Sequence, residues 1–164
     1  MGRINTETEH IWALLNEIPD PEIPAISVVE LGVIREVSLN EAQVTVTITP
    51  TYSGCPAMQR FEVDIVEHLK NNGFEKVELK TIYNPPWTTD WITEEAKEKL
   101  KKSGIAPPEG SANKKALMGE PDHVTCPNCN SRNTEMISQF GSTACKAMWK
   151  CIDCLEPFHY FKCI

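Results

Sequence analysis

The sequence predicts an α+β protein in two parts: a small α-β-β-α-β-α domain over residues 1–104, then an all-β, cysteine-bearing ribbon over residues 122–164. Three observations carry this expectation. Apolar residues recur at helical spacing in some segments and alternate with polar ones in others. Residues 105–121, rich in Pro and Gly, interrupt both patterns and read as a linker. Six of the seven cysteines lie beyond residue 120. A chain of 164 residues excludes a large multidomain enzyme, and its 41% hydrophobic and 24% charged residues are ordinary for a folded globular protein.

The elements follow in order. Ile11, Leu14, Leu15 and Ile18 share one helical face over residues 7–17, and Pro19-Asp20-Pro21 stops that helix. Asp20-Pro21-Glu22-Ile23-Pro24 is a rigid connection, after which residues 28–34 are expected to run extended. Val44, Val46 and Ile48 alternate with threonines as a half-buried strand, turned back on its predecessor through residues 39–42. Pro56 suits a first helical position before Met58, Phe61, Ile65 and Leu69, and Asn71-Asn72-Gly73 ends that helix. Val77, Leu79, Thr81 and Tyr83 alternate as a third strand, and Thr93 with Glu94-Glu95 opens a short helix that ends at Ser103-Gly104. In the ribbon, residues 134–140, 147–150 and 157–162 are the strand candidates, with Trp149, Phe158, Tyr160 and Phe161 as a small core.

Charge and hydropathy narrow the partners. A net charge of -7 draws the chain neither to nucleic acid nor to anionic lipid, and no apolar run approaches the roughly 20 residues that span a bilayer. The start, Met1-Gly2-Arg3-Ile4, lacks a signal-peptide core, so the expectation is a cytoplasmic protein. In a reducing compartment seven cysteines call for thiolate chemistry rather than disulfides.

Cys126-Pro127-Asn128-Cys129 and Cys151-Ile152-Asp153-Cys154 are two C-x-x-C pairs, and four thiolates close a tetrahedral shell. That chemistry favours structural zinc over a catalytic ion, with iron or a cluster able to use the same ligands, and it makes the tail a zinc ribbon. Ribbons often bind nucleic acid. Here Arg132, Lys146, Lys150 and Lys162 face five acids from Glu120 onward, so the basic stripe of a nucleic-acid reader is missing. Cys145 and Cys163 fall opposite one another if the last hairpin is centred near Cys154; the alternative is two small hydrophobes in a cramped core. Cys55 precedes Pro56 at a helix start, where free N–H groups and the helix dipole favour thiolate, as a nucleophile or soft-metal ligand requires. His68 lies 13 residues along the same helix, about 20 Å away at 1.5 Å per residue, and cannot be its base. Trp87-Thr88-Thr89-Asp90-Trp91 reads either as a partner-binding loop or as indoles packed on the sheet. Asp20 and Glu22 read as turn residues, and the Gly-rich phosphate loop, Gly-x-Ser-x-Gly elbow and His-Glu-x-x-His helix are all missing, so no catalytic residue is assigned.

Asp20-Pro21-Glu22-Ile23-Pro24, Val29-Glu30-Leu31-Gly32, Thr49-Pro50-Thr51-Tyr52-Ser53-Gly54-Cys55-Pro56 and Pro86-Trp87-Thr88-Thr89-Asp90-Trp91 resemble the iron-sulfur cluster assembly family over residues 8–104. The tail, with Phe140-Gly141-Ser142-Thr143-Ala144-Cys145 and Glu156-Pro157-Phe158-His159-Tyr160, resembles an accessory-subunit family of the bacterial phenylacetyl-CoA epoxidase system. The resemblance implies a non-catalytic helper of that oxygenase in aerobic phenylacetate degradation, with its oxygenase or reductase subunits as clients. By the same resemblance Cys55 is the family's motif cysteine, which would bind or hand over iron or a transient iron-sulfur cluster. Asp20 and Glu22 then match its acidic motif.

One thiolate cannot hold a cluster alone, so further ligands are expected from Cys145 and Cys163, a second protomer or the client. The alternative is a structural adaptor whose ribbon and Trp loop bind partner subunits while Cys55 is merely packed. An enzyme using Cys55 as nucleophile lacks an identifiable base and oxyanion hole. A strand edge or the first helix could form a homodimer, and no residue decides it.

Overall fold

The structure is a computed structural model that describes residues 6–52, 54–110, 121 and 123–162. The chain divides into two compact units between Trp87 and Thr88, each with its own sheet. Among the described residues no helix is long and apolar enough to cross a membrane.

The first unit holds α1 (Thr6–Leu15), β1 (Ile34–Asn40), β2 (Gln43–Ile48), α2 (Ala57–Asn71) and β3 (Lys76–Thr81). Strands β1 and β2 form the expected antiparallel hairpin, and α2 carries the chain across so that β3 lies parallel to β2, in the order β1-β2-β3. The alternation of β2 is realised in burial: Val44, Val46 and Ile48 are fully covered, and Ile11, Leu15, Phe61, Ile65 and Leu69 of the helices are buried in the same unit. The hairpin turns through Glu41 and Ala42, both in the left-handed region at φ 47° and 68°, the pairing whose twist matches that of the strands.

Residues 28–34 differ from the extended run expected of them. Ser27 and Glu30 form a reciprocal capping box: the Ser27 N–H donates to Glu30 Oε2 at 2.9 Å and the Glu30 N–H to Ser27 Oγ at 3.1 Å. The chain therefore winds through a helical turn, with Leu31 N–H bonded to Ser27 O, and ends it at Gly32 with φ 78°, so β1 begins only at Ile34.

The second unit holds a short 3-10 turn (Thr89–Trp91), α3 (Glu94–Lys102) capped by the Thr93 hydroxyl, β4 (Ile105–Ala106), β5 (Thr134–Ser138), β6 (Lys146–Cys151) and β7 (Pro157–Phe161). Its sheet has the order β4-β7-β6-β5, antiparallel except for the parallel β4–β7 pair. The segment expected as linker thus begins as an edge strand. Ala106 joins the core of Val124, Trp149, Phe158 and Tyr160, and Glu109 Oε1 accepts the Thr125 N–H at 2.7 Å. Residues 111–120 of that expected linker lie outside the described residues.

Candidate metal centre

Two loops of one design bring the four candidate ligand cysteines together. In the first, the Cys126 N–H donates to Ser131 O at 2.9 Å and Asn130 turns the backbone at φ 62°. In the second, the Cys151 N–H donates to Glu156 O at 2.9 Å and Leu155 turns it at φ 63°. Each C-x-x-C thus ends in a left-handed residue at the same offset, and each fold-back points its two sulfurs the same way. The second loop is the β6–β7 connection, and Thr134 at the start of β5 pairs with Cys151, so the sheet itself presents one loop to the other.

The sulfurs of Cys126, Cys129, Cys151 and Cys154 all lie within 4.8 Å of one another. Cys126 and Cys154 are 3.7 Å apart and Cys129 and Cys151 3.6 Å apart. A tetrahedron with metal–sulfur bonds of about 2.3 Å has edges of about 3.8 Å, so these two separations match a zinc shell and the donor set fits the ion. The electrostatics agree. Burial pushes the Cys126 thiol up. At Cys129 the Ser131 backbone hydrogen bond pulls down, but burial and the sulfurs of Cys151, Cys154 and Cys126 push the thiol up to about 12. Hydrogen bonds from the Glu156 backbone and the Asn128 amide bring Cys154 down to about 7. Four adjoining sulfurs resist joint ionisation, and a divalent cation removes that resistance. Zinc held by these residues would serve as a cross-link in a module with a small apolar core.

Side chains that spacing alone does not reveal brace the tetrad. The Asn128 amide donates to Cys154 Sγ at 3.6 Å, from one loop to the other. In return Asp153 Oδ1 accepts from the Asn133 amide at 2.8 Å, and Asp153 Oδ2 accepts from the Ser131 hydroxyl. Those two bonds hold the Asp153 carboxyl below its usual range. The sequence signal was the polar residue at the third position of each C-x-x-C.

The remaining candidates are placed as follows. Cys55 is half-buried just before α2, and its sulfur lies 3.6 Å from Thr51 Oγ1. His68 pairs with Glu17 at 3.0 Å. Asp20 is buried and organises its turn, Oδ1 accepting the N–H groups of Glu22 and Ile23 at 2.7 Å each, while Glu22 is exposed. Trp87 is 4% exposed and its indole N–H donates to Leu31 O at 3.0 Å; Trp91 is half-buried in the 3-10 turn. Cys145 is buried in the second unit beside the Thr143 hydroxyl at 3.0 Å. The last hairpin pairs Lys146 with Phe161, and the Lys162 N–H bonds to Cys145 O. This register is one residue away from the one assumed in setting Cys145 opposite Cys163. Cys163 itself lies outside the described residues.

A family model for iron-sulfur cluster assembly proteins matches residues 8–85, and a model for the PaaD zinc β-ribbon domain matches residues 110–162. The chain is 47% identical over 158 residues to an Escherichia coli (strain K12) protein provisionally named as the D-type subunit of 1,2-phenylacetyl-CoA epoxidase. That alignment covers 96% of this chain and 94% of the relative. An Fe-S protein maturation auxiliary factor of Porphyromonas gingivalis is 37% identical over 92 residues, covering 54% of this chain and 85% of the relative. Among solved structures, a domain of unknown function (DUF59) from Bacillus anthracis matches with a TM-score of 0.54 at 28% identity. It covers 58% of this chain and 92% of that one.

Proposed function

Because the chain belongs to the family of the D-type phenylacetyl-CoA epoxidase subunits, with an iron-sulfur assembly segment ahead of a PaaD zinc ribbon, we propose that it is a non-catalytic accessory factor of such an epoxidase system. In this reading the first unit uses Cys55 to bind iron or an iron-sulfur cluster as cargo and pass it to an oxygenase or reductase subunit, and the zinc ribbon docks that client. The observation that carries the reading is Cys55 itself: a thiol open to solvent on one side, just before α2, inside the segment that matches the assembly model. A single thiolate leaves most cluster positions open, and the client or a second copy of the chain completes them. The same incompleteness suits a carrier, which must release what it holds.

The test is zinc, iron and acid-labile sulfide per chain after anaerobic purification, for the native protein and Cys55→Ala side by side. One zinc in both, with substoichiometric iron and sulfide lost only in the variant, is the expected result. One zinc and no iron or sulfide even after reconstitution would turn the reading into that of a structural adaptor. Cys55→Ser then separates the two in function, since a carrier loses client activation and an adaptor keeps it.

A further inference from the structure

The four thiolates that fit a metal are unequal in exposure. Cys126 and Cys151 are 0% exposed, packed with Val124, Trp149 and Phe158, whereas Cys129 is exposed and Cys154 partly so. One edge of the tetrahedron therefore faces solvent while the opposite edge is sealed. The loops are also bonded to one another directly. Asn128 reaches Cys154, Asp153 takes hydrogen bonds from Ser131 and Asn133 of the other loop, and the Asn133 N–H returns to Ser131 Oγ at 3.0 Å. Outer-shell bonds of this kind orient the ligands of metal sites generally; what sets this site apart is that its exposure is divided between two ligands and two.

We propose that the Cys129–Cys154 edge is an exchange edge, through which the ribbon's ion is taken from, and passed to, a thiolate-bearing acceptor while Cys126 and Cys151 hold it to the last. An incoming thiolate donates its electron pair to the ion as the Cys129 sulfur–metal bond breaks. Cys129 leaves as a thiolate and takes its proton from water. A second substitution releases Cys154 in the same way, and nothing is oxidised or reduced. Asp153 is a positioning residue: its clamp keeps the two loops in register while half of the shell has been replaced. Ile152 and Leu155, 40% and 66% exposed on the second loop, are the kind of apolar surface that an approaching protein covers. This inference is independent of the role given to Cys55.

The experiment uses the zinc-loaded full chain. Timed N-ethylmaleimide labelling is mapped by peptide mass spectrometry, and zinc release is followed in parallel. The expected result is labelling of Cys129 and Cys154 at least ten-fold ahead of Cys126 and Cys151, with zinc leaving at the first label. A single common rate for all four would overturn the proposal, since it marks metal loss through unfolding. With EDTA as acceptor, the release rate should rise in proportion to its concentration; a rate independent of EDTA would equally overturn it. Asp153→Ala should keep one zinc per chain, speed release by about ten-fold and erase the labelling order. Asp153→Asn, which retains one acceptor oxygen, should restore part of that order. Native order and rate in both variants would remove Asp153 from the exchange.

Discussion

Replacing Thr134 by Val should unsettle the ribbon out of proportion to its size. The Thr134 hydroxyl donates to Val124 O at 2.7 Å and accepts the Val124 N–H at 3.1 Å, and Thr134 and Val124 are 5% and 0% exposed. Val has nearly the same shape, so packing is kept while two buried backbone groups lose their partner. Each such group costs about 1–3 kcal/mol, which makes the expected loss about 2–6 kcal/mol. For a unit of this size that is a fall in melting temperature of at least about 8 °C. The loss should also be local, because Val124 leads into Cys126 and Thr134 pairs with Cys151, so the one hydroxyl braces both ligand loops. Hydrogen exchange of the zinc-loaded chain, read by mass spectrometry, should show faster exchange in peptides around residues 123–134 and 146–161, with residues 34–81 unchanged. Thr134→Ser, which keeps the hydroxyl, should stay within about 1 kcal/mol of native. A Val variant within about 0.5 kcal/mol of native would refute the argument, since the two groups would then have found other partners at no cost.

Three further outcomes follow from the geometry. Trp87→Phe removes the N–H that Leu31 O receives and should destabilise the first unit by about 1–3 kcal/mol in urea while leaving zinc content unchanged. Glu41→Asn with Ala42→Gly puts residues that favour positive φ where the hairpin requires it, and should raise that unit's urea midpoint by the equivalent of about 1 kcal/mol. Gly141→Ala would set a Cβ 2.6 Å from His159 Cδ2 and should cost about 1–3 kcal/mol in thermal unfolding; His159→Ala in the same chain should recover most of it if that contact is the cause.

What could be read from the residues was local. The tetrad followed from two short motifs, because a C-x-x-C loop carries its geometry within itself. The β1–β2 turn and the α2 start followed in the same way, from alternation and Pro56. The capping box at Ser27 and Glu30 was local too, but the apolar residues around it concealed a turn behind a strand-like composition. Long-range features stayed out of reach. No periodicity can reveal a two-residue strand such as β4, whose existence depends on β7 some fifty positions away. Nor does spacing set the register of the last hairpin, where one residue decides which side chain faces Cys145. The Asp153 clamp joins positions 20 or more apart, and only the folded loops bring them together.

The two-residue β4 matters beyond its length. It pairs along the outer side of β7 at His159 and Tyr160, so on that side the second sheet ends in a two-residue strand instead of in the full length of β7. Composition invites a cut within residues 105–121 to isolate the ribbon, yet a fragment starting at residue 110 would lose β4 and bare the β7 border as well. Strand borders with unanswered N–H and C=O groups recruit further strands, and β5 already shows Met136 and Ile137 at 39% and 56% exposure. Such a fragment should self-associate more strongly than one begun at Thr88, metallated or not.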